Sequence, residues 1–167
     1  MSAARFSGQL LDADAAAAWR EALRREGKTV VFTNGCFDLL HAGHVAYLTW
    51  ARAQGDALIV GLNDDDSVRR IKGESRPIVP FAQRAAVLLS LRMVDTVVPF
   101  GERTPEVLLD RIRPDVHVKS DQYREDELPE RTVVLAHGGR IALAPHTACV
   151  STTDLIARIL DAYSAHR

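Results

Sequence analysis

Short apolar, β-branched runs alternate with amphipathic stretches along this chain. Residues 29–33, 57–62, 96–100 and 116–118 each read as a buried strand, too short and too β-branched for a helix, and 140–144 continues the series. Between them lie helical patterns. Residues 14–25 can be capped by Asp12 or Asp14 and stopped by Gly27. Residues 44–54 carry Val45, Leu48 and Ala51 at helical spacing. Asn63-Asp-Asp-Asp66 caps a short helix to Ile71, and 81–91 is helical. Thr104-Pro105 begins another helix with Pro in its first position, ending before Arg113-Pro114. Residues 125–137 and 151–163 complete the set. The first dozen residues read as a loose arm. Residues 72–80, with two prolines, read as a polar loop long enough to face a ligand.

This alternation predicts an α/β fold: one Rossmann-like, doubly wound domain with a mainly parallel sheet and right-handed crossovers. Residues 1–27 form an N-terminal arm and helix, and 28–167 the main domain. Ligands should gather at the carboxyl ends of the strands.

Composition narrows the class. With 167 residues, 47% apolar and 26% charged, the chain fits one soluble domain. Acidic residues (22) balance basic ones (21), which removes any global field for nucleic acid or membrane binding. No apolar run approaches the ~20 residues of a membrane span. The N-terminus lacks the pattern of a secretory signal, and two cysteines, Cys36 and Cys149, are too few for a disulfide framework. A reducing cytoplasm is expected. The basic residues divide into 18 Arg and 3 Lys, so Lys28, Lys72 and Lys119 stand out.

The chemistry concentrates in Thr33-Asn-Gly-Cys-Phe-Asp-Leu-Leu-His41-Ala-Gly-His44, where the first strand hands over to the next helix. Two histidines flank a glycine there, and a helix N-terminus offers free N–H groups to an anion. Phosphate suits this geometry. A metal site would need a third ligand, and two structural histidines are the plain alternative. Near the C-terminus, Val150-Ser-Thr-Thr153 opens the last helix, where Ser and Thr also cap routinely.

His41-Ala-Gly-His44 matches the HxGH motif of the nucleotidyltransferases, a superfamily that includes cytidylyltransferases and adenylyl-transferring relatives. The extended stretch resembles the adenylyltransferases that make ADP-heptose from heptose 1-phosphate. The similarity runs over residues 30–160 and takes in Gly61-Leu-Asn63, Arg70-Ile-Lys-Gly73 and Arg76-Pro-Ile78.

The resemblance implies roles. Thr33, Asn34, Gly35, Cys36 and Phe37, with His41, His44, Lys119 and the hydroxyl motif Ser151, Thr152 and Thr153, would bind the nucleotide. His41, His44 and Lys72 would be catalytic, and Asp38, Arg84, Arg92 and Asp121 would meet the acceptor. Two segments depart from the family. Lys119-Ser120-Asp121-Gln122-Tyr123 stands where Lys-Gly-Gly-Asp-Tyr is usual, and His146-Thr147-Ala148-Cys149 replaces a segment usually carrying Arg, Glu or Gly. Both bear on the substrate more than on the reaction.

The implied reaction is attack of an acceptor phosphate oxygen on the α-phosphorus of ATP, or of CTP, with pyrophosphate leaving. Mg²⁺ would be bound mainly through the nucleotide's phosphates, without a metal site built by the protein. Other readings are a CTP-dependent enzyme for an alcohol phosphate such as glycerol 3-phosphate, an FMN adenylyltransferase, or a nucleotide-binding regulatory module without turnover. A homodimer is expected from similar enzymes. The chain has no room for a sugar kinase, so a kinase would be a separate partner.

Overall fold

The longer strands of this chain are buried on one or both faces, and the helices supply the covers. A computed structural model describes residues 8–145 and 151–164. The chain runs β1 (Gln9–Leu10), α1 (Ala13–Arg25), β2 (Val30–Gly35), α2 (Ala42–Arg52), β3 (Ala57–Asn63), α3 (Asp65–Lys72), α4 (Phe81–Leu89) and β4 (Thr96–Phe100). It continues through α5 (Glu106–Ile112), β5 (Val116–Ser120), a single 3-10 turn (Glu125–Glu127), α6 (Arg131–Ala136), β6 (Arg140–Ala144) and α7 (Thr152–Ser164). The six strands form one parallel sheet in the order β1-β4-β3-β2-β5-β6.

All seven residues of β3 are buried, as a central strand covered on both faces requires. Alternating side chains feed two cores. Leu58, Val60, Leu62 and Val97 meet Leu48 and Ala51 of α2 and Leu88 of α4. On the other face Phe32, Ile59 and Val98 meet Ala16 of α1, Leu109 and Ile112 of α5, and Val134 of α6. Truncating a fully buried leucine such as Leu48 to alanine would cost about 2–5 kcal/mol. Gly61 is required by packing, since a Cβ there would lie 2.6 Å from the Phe32 ring.

Capping fixes the helix starts. The Asp12 carboxylate accepts the Ala15 N–H at 2.8 Å, and the Asp64 carboxylate accepts that of Ser67 at 2.7 Å. Arg20 and Asp115 tie α1 to the sheet. Arg20 Nη2 donates to one Asp115 oxygen at 2.8 Å, and the other oxygen accepts the Val30 N–H at 2.8 Å.

Several elements differ from the sequence pattern. Gln9 and Leu10 are not a loose arm but pair with Thr96 and Val97 as an edge strand; two residues carry too little alternation to be read. The helix expected over 125–137 is split, because Pro129 drives Leu128 to extended angles (φ −75°, ψ 120°). Pro105 occupies the N-cap of α5 rather than its first turn. Lys72 is the last residue of α3 rather than part of the loop, with Gly73 following at φ 98°. The helix after β2 starts at Ala42, two residues before His44. Among the described residues no helix is long and apolar enough to cross a membrane.

The strand order reverses direction between β2 and β5. Asn34 and Gly35 extend β2 beyond its pairing with β5, which ends at Phe32 and His117. A crevice therefore opens at this switch point, beside the start of α2.

Candidate active site

His41 has extended backbone angles (φ −139°, ψ 172°) and its side chain makes no cap to α2, so the imidazole stays available. One turn on, His44 stacks against it with ring centroids 3.8 Å apart. The Phe37 ring meets His44 edge-on at 5.3 Å. Both Nδ1 atoms are buried without a partner. An unpaired buried lone pair costs less than an unpaired N–H, so Nδ1 is best left unprotonated and Nε2–H becomes the donor. Burial, reinforced by the His41 charge, pushes the His44 pKa down to about 4. His44 is thus suited to donating a neutral hydrogen bond beside the free N–H groups of α2.

These histidines line a cleft of about 700 Å³. Asn34, Gly35, Cys36 and Phe37 form its floor. One wing, at the ends of β3 and β4, presents Asn63, Lys72, Arg76 and Arg103. The other, at the end of β5, presents Lys119, Tyr123 and Glu130. Ser151, Thr152 and Thr153 close the cleft from α7. The Thr152 hydroxyl donates to the Leu39 carbonyl at 3.4 Å, which joins the start of α7 to the histidine loop. Ser151 also caps α7: its hydroxyl donates to an Asp154 carboxylate oxygen at 2.7 Å and faces the Asp154 N–H at 3.1 Å.

Several expected contacts take other places. Thr33 is fully buried beneath the cleft; its hydroxyl lies 2.7 Å from that of Tyr47, and both reach the Val118 carbonyl. It anchors Tyr47, which does line the cleft. Asp38 lines the cleft, but its carboxylate already accepts from Arg76 Nε and from the N–H groups of Ile78 (2.9 Å) and Val79 (2.8 Å). These donors, Arg76 included, hold its pKa below the usual carboxylate value despite burial. Arg84 is buried behind the floor, donating to the Val79 and Cys36 carbonyls and to Asp65 at 2.9, 2.6 and 2.7 Å. It braces the floor and does not face the cleft. Arg92 and Asp121 are exposed and lie outside the lining. Lys119 reaches the cleft with its ammonium 2.9 Å from Glu130, and also 3.5 Å from Asn34 Oδ1. The segment 146–149 lies outside the described residues.

Tyr47, Arg103 and Glu130 were not singled out by sequence, and Asn63 and Arg76 entered only as parts of resembling motifs, without an assigned site role. Tyr47 follows His44 by three positions, a spacing that puts both on one helix face and could have flagged it. Arg103 and Glu130 have no such signal, because tertiary structure alone brings them to the cleft. Among the described residues no group of three or more His, Cys, Asp or Glu could hold a metal, and the Asp38 carboxylate is already engaged by three donors.

Helix N-termini, stacked histidines and hydroxyls converge at the switch point of a parallel sheet, an arrangement suited to binding phosphate groups. The chain belongs to the cytidylyltransferase-like family, whose profile matches residues 32–158. It is 51% identical over 143 residues to the bifunctional protein HldE of Syntrophotalea carbinolica, and 53% identical over 143 residues to that of Halorhodospira halophila. Each match covers 86% of this chain but only 29% and 30% of the relative, so the chain spans under a third of their length. The solved structure of a lipopolysaccharide core biosynthesis protein from Thermoplasma volcanium superposes with a TM-score of 0.60 at 27% identity, covering 72% of this chain and 98% of that one. A pantoate-beta-alanine ligase from Francisella tularensis, complexed with beta-gamma ATP and beta-alanine, shares the fold at 13% identity and a TM-score of 0.58. That match covers 95% of this chain and 79% of the other.

Proposed function

We propose that this chain transfers AMP from ATP to a sugar 1-phosphate of the heptose 1-phosphate type, giving ADP-heptose and pyrophosphate. The observation that carries the reading is the convergence of His41 and His44 with Ser151–Thr153 on one cleft, joined through Thr152 and Leu39. Two helix N-termini and two imidazole donors suit a triphosphate. The identity of 51–53% to HldE proteins, together with the heptose-type motif, supports adenylyl transfer over the other acceptors.

An acceptor phosphate oxygen forms the new bond to the α-phosphorus as the bond to the bridging oxygen breaks, and the electron pair leaves with pyrophosphate. A phosphate monoester is already a nucleophile, so the protein's work is positioning and charge stabilisation. Nε2–H of His41 and His44 would donate to the phosphate oxygens, and the Lys72 ammonium would offset charge on the departing pyrophosphate. Mg²⁺ carried on the triphosphate would add charge neutralisation when bound. A sugar kinase, linked or separate, would supply the acceptor. A cytoplasmic homodimer is the setting proposed.

Pyrophosphate release tests the reading, with ATP and then CTP against heptose 1-phosphate, glycerol 3-phosphate and FMN. ATP with heptose 1-phosphate should give the highest kcat/KM. Preference for CTP, or for another acceptor, would replace the assignment, and no turnover with any pair would point to a binding module. Lys72→Ala should lower kcat more than it weakens ATP binding.

A further inference from the structure

We propose that Arg103 binds the phosphate of the acceptor and is a specificity-determining residue of this cleft. The inference rests on the nucleotidyl-transfer reading and adds the residue that receives the second substrate. It begins from the partners of the cleft's cations.

Among the described residues four cationic side chains of Lys or Arg line the cleft: Lys72, Arg76, Arg103 and Lys119. Two are already paired. Arg76 is bound to the buried Asp38 carboxylate, and Lys119 lies 2.9 Å from the buried Glu130. Lys72 and Arg103 have no carboxylate partner among the described residues, and both are exposed to the cleft. They share one wing, since β3 and β4 are neighbours and Asn63 pairs with Phe100.

The loop that carries Arg103 is held from below by buried groups. Asn63 and Ser67 are 3% and 0% exposed. Their side chains both donate to the Glu102 carbonyl, at 3.3 and 2.9 Å, and also bond each other at 2.9 Å. The Arg70 guanidinium holds the preceding carbonyl, that of Gly101. Two buried polar side chains and an arginine thus fix the backbone next to one exposed guanidinium. A binding group mounted on so constrained a base is presented at a defined place.

Complementarity assigns the ligand. The β5 wing carries the Tyr123 ring and an internally neutralised Lys119–Glu130 pair, which suit an uncharged, flat base. On the β3–β4 wing Lys72 is assigned to the pyrophosphate, which leaves the Arg103 guanidinium for a second anion. The reaction brings a dianionic monoester against a polyanionic triphosphate, so the approach is repulsive unless cations lie on the acceptor's side. A planar guanidinium can grip two oxygens of that phosphate at once and leave a third free to attack.

The test uses Arg103→Ala and Arg103→Lys in the full chain. ADP-sugar formation is followed with ATP and heptose 1-phosphate, and unfolding midpoints check that the variants fold. Arg103→Ala should raise the acceptor KM at least tenfold with the ATP KM within twofold of wild type, and Arg103→Lys should fall between. An unchanged acceptor KM overturns the proposal, as does an ATP KM that rises in step with it. Calorimetry with wild type and Arg103→Ala, loaded with a non-hydrolysable ATP analogue, separates this from the choice of sugar. The probes are heptose 1-phosphate, glycerol 3-phosphate and inorganic phosphate. If wild type prefers a probe other than heptose 1-phosphate, the sugar assignment falls while the affinity ratio for that probe still decides Arg103. A tenfold loss supports the residue's role. Equal affinity in the variant, or binding of no phosphate by wild type, sinks it.

Discussion

The imidazoles of His41 and His44 stack face to face, 3.8 Å between centroids, at the first turn of α2. Two cations could not hold that distance in a half-buried cleft without strong repulsion. The stack therefore disfavours charge on both rings at once, and the low His44 pKa makes that ring a neutral hydrogen-bond donor.

Removing one of these donors should act on turnover. We expect His44→Ala to lower kcat by about 10²–10³, equivalent to about 2.7–4 kcal/mol of barrier, because the bond strengthens as charge develops. Steady-state kinetics at saturating ATP and acceptor provide the measurement. Turnover within a few-fold of wild type would remove the assigned role.

Two histidines, His117 buried and His44 half-buried, should make the fold sensitive to mild acid. Burial pushes His44 down to about 4, and burial with the nearby Lys119 charge pushes His117 down to about 3. In the unfolded chain both protonate near 6.5. The unfolded state therefore binds more protons below that value, and stability, full above about pH 6.5, declines as pH falls through 6.5 towards 4. The urea midpoint should be lower at pH 5 than at pH 7.5, with a flatter dependence in His117→Leu. Equal midpoints for wild type at the two pH values would contradict this account.

Asp38 latches the segment after Lys72 to the histidine loop. Its side chain is 1% exposed and that of its partner Arg76 13%. An amide in its place keeps one acceptor oxygen but turns an NH₂ towards donors. Asp38→Asn should cost about 3–5 kcal/mol, the usual result of breaking a buried ion pair. Residues 73–80 should become the first site of limited proteolysis. Urea denaturation reads the energy, and a loss below about 1 kcal/mol would show that the latch contributes little.

How far the sequence could be read follows from where the signals lie. The strands Thr96–Phe100 and Arg140–Ala144 were legible to the residue, because local apolar runs are their only requirement. The floor and the histidine pair were legible too, since one continuous stretch builds them. Arg84 was not, because its role depends on acceptors 48 residues back at Cys36 and 19 back at Asp65, which no local pattern reveals. The resemblance implies a nucleotide contact for Lys119 and gives no hint of a carboxylate partner. Its neutralisation comes from Glu130, 11 residues on at the N-cap of α6 and 2.9 Å away, a pairing that no local pattern reveals.

Cys36 lies on the cleft floor with its sulfur 3.9 Å from Asn63 Oδ1, so its reactivity reports on the site. Burial raises the thiol pKa, and the nearby charges of Lys72, Arg84 and Arg76 offset this only in part. At pH 7 the thiolate fraction is therefore small, and a bulky maleimide should react slowly, faster as pH rises. In a Cys149→Ser background only Cys36 can be labelled. Labelling should then abolish turnover by filling the floor, and ATP should slow it. Cys36→Ala should retain turnover within a few-fold, because the acceptor phosphate is itself the nucleophile. Labelling that proceeds at the same rate with saturating ATP would place the nucleotide elsewhere.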